Sequence, residues 1–175
     1  MPQVPRKQTI KLSKPMVITF AVVVGILVTV VLVWWVKDEA AAAKRRAAAV
    51  ITQAQKLDFH RQYASEQQVL TVYIDSKPPK QYQYAPLVQL GAMALEENQP
   101  QQALTWYKKA EQVSGKDQLE DVDGLSSVYL MLGNKPEAIV YLRKAIAVDK
   151  QMGGNDVNSD IPSYEQELQS LGATP

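Results

Sequence analysis

The chain has 175 residues, with 19 lysines and arginines against 18 aspartates and glutamates, no cysteine and a single histidine, His60. A balanced charge argues against the strongly basic surface on which nucleic-acid binding depends. Without cysteine there can be no thiol nucleophile, disulfide or cysteine-based zinc site, and one histidine leaves no pair for a metal site. We therefore expect a protein that is not an enzyme and that carries no cofactor and no metal.

An apolar segment near the start predicts a transmembrane helix at residues 15–36. Met16–Val36 is 21 residues long and contains no charged residue. As a helix it measures about 30 Å, the thickness of the hydrocarbon core of a bilayer. Trp34 and Trp35 end it, at the level where indole rings favour the headgroups. A cleaved signal peptide is the alternative, but its apolar stretch is only about 7 to 15 residues long.

The two flanks of this segment bear on its orientation. Residues 1–14 form a basic tail without an acidic residue, and residues 37–50 form an alanine-rich stalk that favours a helix. Each flank has four lysines and arginines, so the positive-inside rule gives a tie. The net charge and the shortness of the tail favour a cytoplasmic N-terminus and an extracytoplasmic C-terminal domain at the cell membrane.

Small residues recur every four positions within the apolar segment, at Ala21, Gly25 and Thr29. Such a face lets two helices approach closely within a membrane. The pattern is consistent with a homodimer formed through the anchor.

The segment from Tyr84 to Val148 repeats itself at an offset of 35 residues. The related pairs are Leu90/Leu125, Leu95/Leu130, Ala103/Ala138, Leu104/Ile139, Trp106/Tyr141, Lys108/Arg143, Lys109/Lys144, Ala110/Ala145 and Val113/Val148. Apolar residues at helical spacing predict two amphipathic helices in each unit, at 84–117 and 118–151. A degenerate hairpin at 50–80, a loop at 152–161 and a capping helix at 162–172 complete the expected all-α fold.

Turn and capping residues mark the ends of these helices. Asn98 and Pro100 predict the turn inside the first unit, and Gly133-Asn134 with Pro136 predict the corresponding turn in the second. Asp117 and Glu120 have the spacing of a capping box, which predicts Asp117 as the N-cap of the second unit.

The units resemble the tetratricopeptide repeat. The resemblance rests on Leu90-Gly91 with Ala103, Tyr107 and Ala110, and on the segment 133–149, and it covers about 67 residues. It departs from the family pattern at Ser126, where glycine or alanine is usual. It implies a short right-handed solenoid of helical hairpins whose first helices line a groove for a protein partner. The implied lining is Ala85, Val88, Ala92, Leu95, Asp123, Ser127, Leu130 and Met131.

This groove would have apolar walls and an acidic edge at Asp123, which suits an extended or helical peptide of apolar and basic character. The same residues could instead pack against the degenerate hairpin or the capping helix. We expect a membrane-anchored adaptor that binds a partner protein. The alternative is a structural subunit of a larger secretion, translocation or envelope-assembly complex.

A calcium loop is the remaining pattern, because Asp156, Asn158, Asp160 and Glu167 have the oxygen spacing of an EF-hand. Ile161 stands where that loop requires glycine, so we expect no calcium site. Asp160 is instead well placed to cap the final helix.

Overall fold

The computed structural model describes residues 14–60, 62–153 and 159–174, with the backbone alone for residues 14–21. The α-helices are α1 (Lys14–Phe59), α2 (Tyr63–Asp75), α3 (Tyr84–Glu96), α4 (Pro100–Ser114), α5 (Leu119–Met131), α6 (Lys135–Gln151) and α7 (Ile161–Ser170), and a 3-10 helix spans Lys80–Tyr82. Within these described ranges there is no β-strand. The prediction of an all-α fold is confirmed.

The chain divides into two units, residues 1–42 and residues 43–175. In the first unit the described residues all belong to α1, and the large apolar side chains from Val22 to Val36 are exposed, Trp34 to 68%. Among the described residues, no helix has both the length and the apolar character needed to cross a membrane. Residues 1–13 of the predicted basic tail lie outside the described part of the chain.

In the second unit, α3 pairs with α4 and α5 pairs with α6 as two successive helical hairpins. The first helices begin at Tyr84 and Leu119, and the second helices begin at Pro100 and Lys135. Both pairs of starts are therefore 35 residues apart, the same offset that relates the two sequence segments. The repeat in the sequence is a repeat in the fold.

Local chemistry explains where the helices of these hairpins begin and end. Pro100 opens α4, where its missing N–H costs nothing, and Gly115 closes that helix with φ at 68°. Asn134 caps α6 by accepting a hydrogen bond from the Glu137 N–H at 3.4 Å. Gly133, with φ at 69°, makes the turn before it. The turn predicted here is present.

The predicted capping box lies one residue further along the chain. Helix α5 begins at Leu119, and the Gln118 N–H donates to Asp121 Oδ1 at 3.1 Å. The prediction of Asp117 as the cap was wrong, since Asp117 pairs with Lys144 of α6 at 3.1 Å. The two registers have the same spacing, so a partner distant in sequence decides between them.

The close approach of neighbouring helices depends on the ring of Tyr107, which is buried between α3 and α5. A Cβ atom at Gly91 would lie 2.7 Å from this ring, and one at Gly124 would overlap it more severely. Leu125 and Leu142, both fully buried, belong to the same core cluster as Tyr107. Small residues on the two first helices thus leave room for one large residue on the second helix between them.

The ends of the second unit add to this core. Ala54 of α1 packs with Leu70 of α2 and with Leu90 and Met93 of α3. Helix α7 contributes Tyr164, and its start is held by Asp149 of α6, which accepts hydrogen bonds from Ser159 Oγ at 2.9 Å and from the Asp160 N–H at 3.2 Å. The Asp160 side chain makes no capping bond, so the expectation that it caps α7 was wrong. Asp149 takes over the task because it is buried beside the helix start.

Candidate functional site

The residues predicted to line the groove lie in different environments. Val88 and Leu95 are half-buried and pack against the main core, whereas Ala85 is exposed and Ala92 is half-buried. On α5, Ser127 and Leu130 are half-buried and Met131 is 45% exposed. Asp123, the expected acidic edge, is half-buried.

Asp123 lies close to a residue of the last helix of the protein. The Tyr164 hydroxyl lies close enough to the Asp123 carboxylate to affect its pKa, and Tyr164 is only 6% exposed. Burial raises the pKa of Asp123; the Tyr164 hydroxyl lowers it, and the negative charge of Asp160 raises it further, leaving it above its ordinary value. Helix α7 packs mainly on α6, and Tyr164 and Leu168 join the main core cluster that contains Val122, Leu125 and Val128 of α5.

The other end of the predicted groove is open. A cleft of about 410 Å³ lies between α1 and the start of α3, next to the 3-10 helix. It is lined by Lys44, Ala47, Ala48, Ile51, Thr52, Gln81, Tyr82, Ala85 and Pro86. Ala85 is the one predicted groove residue in this lining. Lys44 is the charged residue of the lining, so the cleft has a basic edge rather than an acidic one.

Of the residues that α1 contributes to this cleft, Lys44, Ala47 and Ala48 fall in the predicted alanine-rich stalk, and Ile51 and Thr52 fall in the predicted degenerate hairpin. Lys44, Ala48 and Ile51 recur at spacings of four and three, so they share one helical face. Alanine at positions 47 and 48 leaves space that a larger side chain would fill. This periodicity was a signal in the sequence, but alanine-rich helices show it too often to single out a site.

A cluster of charged groups connects the two hairpins. Glu111 of α4 accepts hydrogen bonds from Lys108 Nζ and from the Tyr141 hydroxyl, each at 3.0 Å, and Lys144 Nζ lies 3.5 Å away. Burial raises the pKa of Glu111, but Lys108, Tyr141 and Lys144 together hold it below its ordinary value. The carboxylate is thus ionised and fully engaged. Such a group stabilises the packing of α4 on α6 and is a poor general base.

The Tyr141 ring is enclosed by the same lysines. Lys108 Nζ lies 4.7 Å and Lys144 Nζ 4.8 Å from the ring centroid, and Tyr129 of α5 stacks on the ring at 5.4 Å. Cation–π and aromatic contacts of this kind add to the ion pairs. The lysines are occupied within the fold, so the cluster is structural.

Two carboxylates are buried away from these lysines. Asp121 is fully buried with Oδ2 unbonded, and burial, reinforced by the charges of Glu111, Asp117 and Glu120, raises its pKa to about 6. Glu66 of α2 is 2% exposed, and burial raises its pKa although Gln89 donates a hydrogen bond to it. Neither faces a nucleophile or a second catalytic group.

Metal chemistry finds no support among the described residues. Within them, no three histidine, aspartate or glutamate side chains are placed to hold a metal ion together. Positions 156 and 158 of the calcium-like pattern lie outside the described ranges. His60 is exposed, and its ring meets the edge of Phe59 at 5.3 Å.

No protein-family model, no curated protein and no solved structure matches this chain. The features of this chain that bear on its function are an apolar segment, a pair of repeated hairpins and an open cleft with a basic edge.

Proposed function

We propose that this protein is a membrane-anchored adaptor of the tetratricopeptide type, which binds a partner protein in the cleft between α1 and α3. The observation that carries the proposal is the cleft itself. It is lined mainly by small and apolar side chains, it includes Ala85 of the expected groove, and Lys44 gives it one basic edge. Protein-binding surfaces of helical repeats are concave faces of this kind.

The anchor is part of the proposal. In the sequence, Met16–Val36 is uncharged and its 21 residues match the thickness of a bilayer; the side chains of residues 16–21 lie outside the part that the structure describes. From Val22 to Val36 its large side chains are exposed in the isolated chain, an arrangement that water disfavours and lipid favours. We infer one span with the N-terminus cytoplasmic and the hairpins outside the cytoplasm.

The cleft suits an apolar peptide segment that carries an acidic side chain. A volume of about 410 Å³ accommodates a few side chains rather than a whole helix. Ile51 and Pro86 supply apolar contacts, and Lys44 lies where it can pair with a carboxylate. This differs from the basic peptide expected from sequence, because the lining of this cleft contains Lys44 and does not contain Asp123.

Site-specific photo-cross-linking in cells tests the proposal. A photoreactive residue at Ala48, in the cleft, should give one dominant cross-linked protein, and the same residue at Val140, which is 47% exposed on α6, should not. Adding Ala85→Arg should remove the product by filling the cleft. Equal labelling from positions 48 and 140, or a product that survives Ala85→Arg, would contradict binding in this cleft.

The same cells can be used to distinguish an adaptor from a permanent subunit of a larger complex. After mild solubilisation, an adaptor migrates alone or with one partner, whereas a subunit migrates with the whole complex. A reporter fused after residue 174 tests the orientation, since an enzyme active only outside the cytoplasm should be active there. Cytoplasmic activity would reverse the proposed topology.

A further inference from the structure

The outer face of α2 corresponds to a face that is covered in each of the next two units. At the offsets of 34 and 35 residues that relate the units, Val72 is equivalent to Trp106 and then to Tyr141. Trp106 packs against the cluster that contains Leu70 of the preceding helix α2. Tyr141 contacts Glu111 of α4, the second helix of the preceding unit. Val72, in contrast, is 62% exposed.

Val72 borders a second cleft, of about 480 Å³, which lies between α1 and α2 on the side of α1 that carries Arg46. Its lining residues are Arg46, Val50, Gln53, Gln68, Val69, Val72, Tyr73 and Ser76. Most of the lining surface is apolar although half of the residues are polar, and the lining contains no acidic residue. We call it the edge cleft.

The cation of the edge cleft has no counter-charge among the described residues: Arg46 is exposed and forms no ion pair with any of them. A cation without a counter-charge at the rim of an apolar cleft favours an occupant that carries a carboxylate.

We propose that the edge cleft docks an amphipathic helix from a partner protein, with apolar residues over Val69 and Val72 and an aspartate or glutamate facing Arg46. A helix is the occupant because helices cover the equivalent residues: Trp106 packs against a cluster of side chains from α1, α2 and α3, and Tyr141 contacts Tyr129 of α5 and Glu111 of α4. Helix-in-groove binding of this kind uses residues at i, i+3 or i+4, and i+7.

Charge separates this occupant from two segments of the protein itself. A second copy would present the same lining, which has no acid to pair with Arg46. Residues 1–13 contain Arg6, Lys7 and Lys11 and no acid, so they would place like charges beside Arg46. A heterologous, acidic helix is the complementary partner.

The edge cleft adds a second surface to the proposed adaptor and relies on that proposal only in taking a protein as the occupant. Its lining shares no residue with that of the cleft between α1 and α3. Variants of one leave the other intact, so the two proposals can fail separately.

A library of displayed alanine-based helical peptides tests the edge cleft. The apolar stripe and one adjacent position, open to Asp, Glu, Lys and Arg, are randomised, and selection uses the full chain in lipid nanodiscs. Enriched peptides should carry an acid at the adjacent position. Their binding should weaken about tenfold or more in Val72→Glu, and Arg46→Glu should shift the selection toward lysine or arginine. Val140→Glu, a change of the same kind at an exposed valine of α6, should leave binding unchanged.

Three results would overturn the proposal. The first is a lack of enrichment over Val72→Glu nanodiscs, and the second is enrichment that ignores the sign of the charge at position 46. The third comes from a photoreactive residue at position 72: cross-links to lipid, or to a second copy of the chain, rather than to the selected peptide would identify a different occupant. Ala85→Arg serves as the separating control, because it should block the first cleft and spare this one.

Discussion

Tyr107 and Gly124 are in direct contact across the boundary between the two hairpins: the tyrosine ring fills the space into which any side chain at position 124 would extend. Gly91 faces the other side of the same ring. The ring is 4% exposed, and burial, reinforced by the charges of Asp123 and Glu96, raises the pKa of its hydroxyl to about 12. This one residue sets the spacing of α3, α4 and α5.

Gly124→Ala should therefore destabilise the fold by about 1–3 kcal/mol, the usual cost of overpacking a core. The added methyl group overlaps an aromatic ring that is confined on its other side by Gly91. Urea unfolding of the full chain in detergent, followed by helical circular dichroism, measures the loss. In a Tyr107→Leu background the same change should cost much less, since the ring is gone. An equal cost in both backgrounds would refute the contact.

Asp121→Asn should stabilise the protein at neutral pH. The pKa of Asp121 is raised from 3.8 to about 6 in the folded state, so the folded chain holds this proton more tightly than the unfolded chain. The ionised carboxylate of Asp121 therefore destabilises the folded state above pH 6, and this destabilisation disappears as the pH falls toward 4. Asparagine keeps the oxygen that accepts from the Gln118 N–H and removes the charge.

We expect a gain of about 1–3 kcal/mol at pH 7.5 that shrinks to nothing by about pH 4, measured by urea unfolding at several pH values. Glu97→Gln, at an exposed site on the preceding hairpin, is the matched control and should show neither effect. A gain that does not depend on pH would mean that packing, and not charge, limits this position.

Glu111→Gln, in contrast, should destabilise the protein at neutral pH. Because the folded-state pKa of Glu111 is lowered, its contribution is present above the unfolded value of about 4.5 and is lost as the pH falls through the folded value. At pH 7 the loss should be about 1–2 kcal/mol, typical of hydrogen bonds to a charged group. Tyr141→Phe should cost less by itself and little more in the Glu111→Gln background, since glutamine has already removed the charge that strengthens this bond. Additive losses would show that the two residues act independently.

Gly25→Leu should abolish self-association of the anchor if Ala21, Gly25 and Thr29 form a helix–helix face. A Cβ atom at position 25 meets no other atom of the chain within 4 Å, so leucine fits the monomer and can act only on a neighbour. A two-hybrid reporter for transmembrane association gives the measurement. Ile26→Leu, one residue away, is the control and should keep the signal. An unaltered signal in Gly25→Leu would remove this face from consideration.

The periodicity of apolar residues, together with the proline and glycine residues at helix ends, determined most of the fold. The 35-residue offset predicted the positions of both hairpins. Each helix must bury its apolar face against the next, and the sequence spacing of the apolar residues shows where those faces recur. Proline and glycine fixed the ends of α4 locally, through backbone geometry that needs no distant partner. These features follow from residues that are close in sequence.

What the tertiary structure decided depends on residues that meet from far apart. Asp117 forms an ion pair with Lys144 instead of capping α5. At the start of α7, the side chain that accepts hydrogen bonds is that of Asp149 and not that of Asp160. Of the residues expected to line the groove, Ala85 is the one that the open cleft beside Lys44 includes. The apolar segment that predicts an anchor is likewise plain in the sequence, but the surfaces that offer binding arise only when helices separated by tens of residues pack, because a cleft is the space that their side chains leave unfilled.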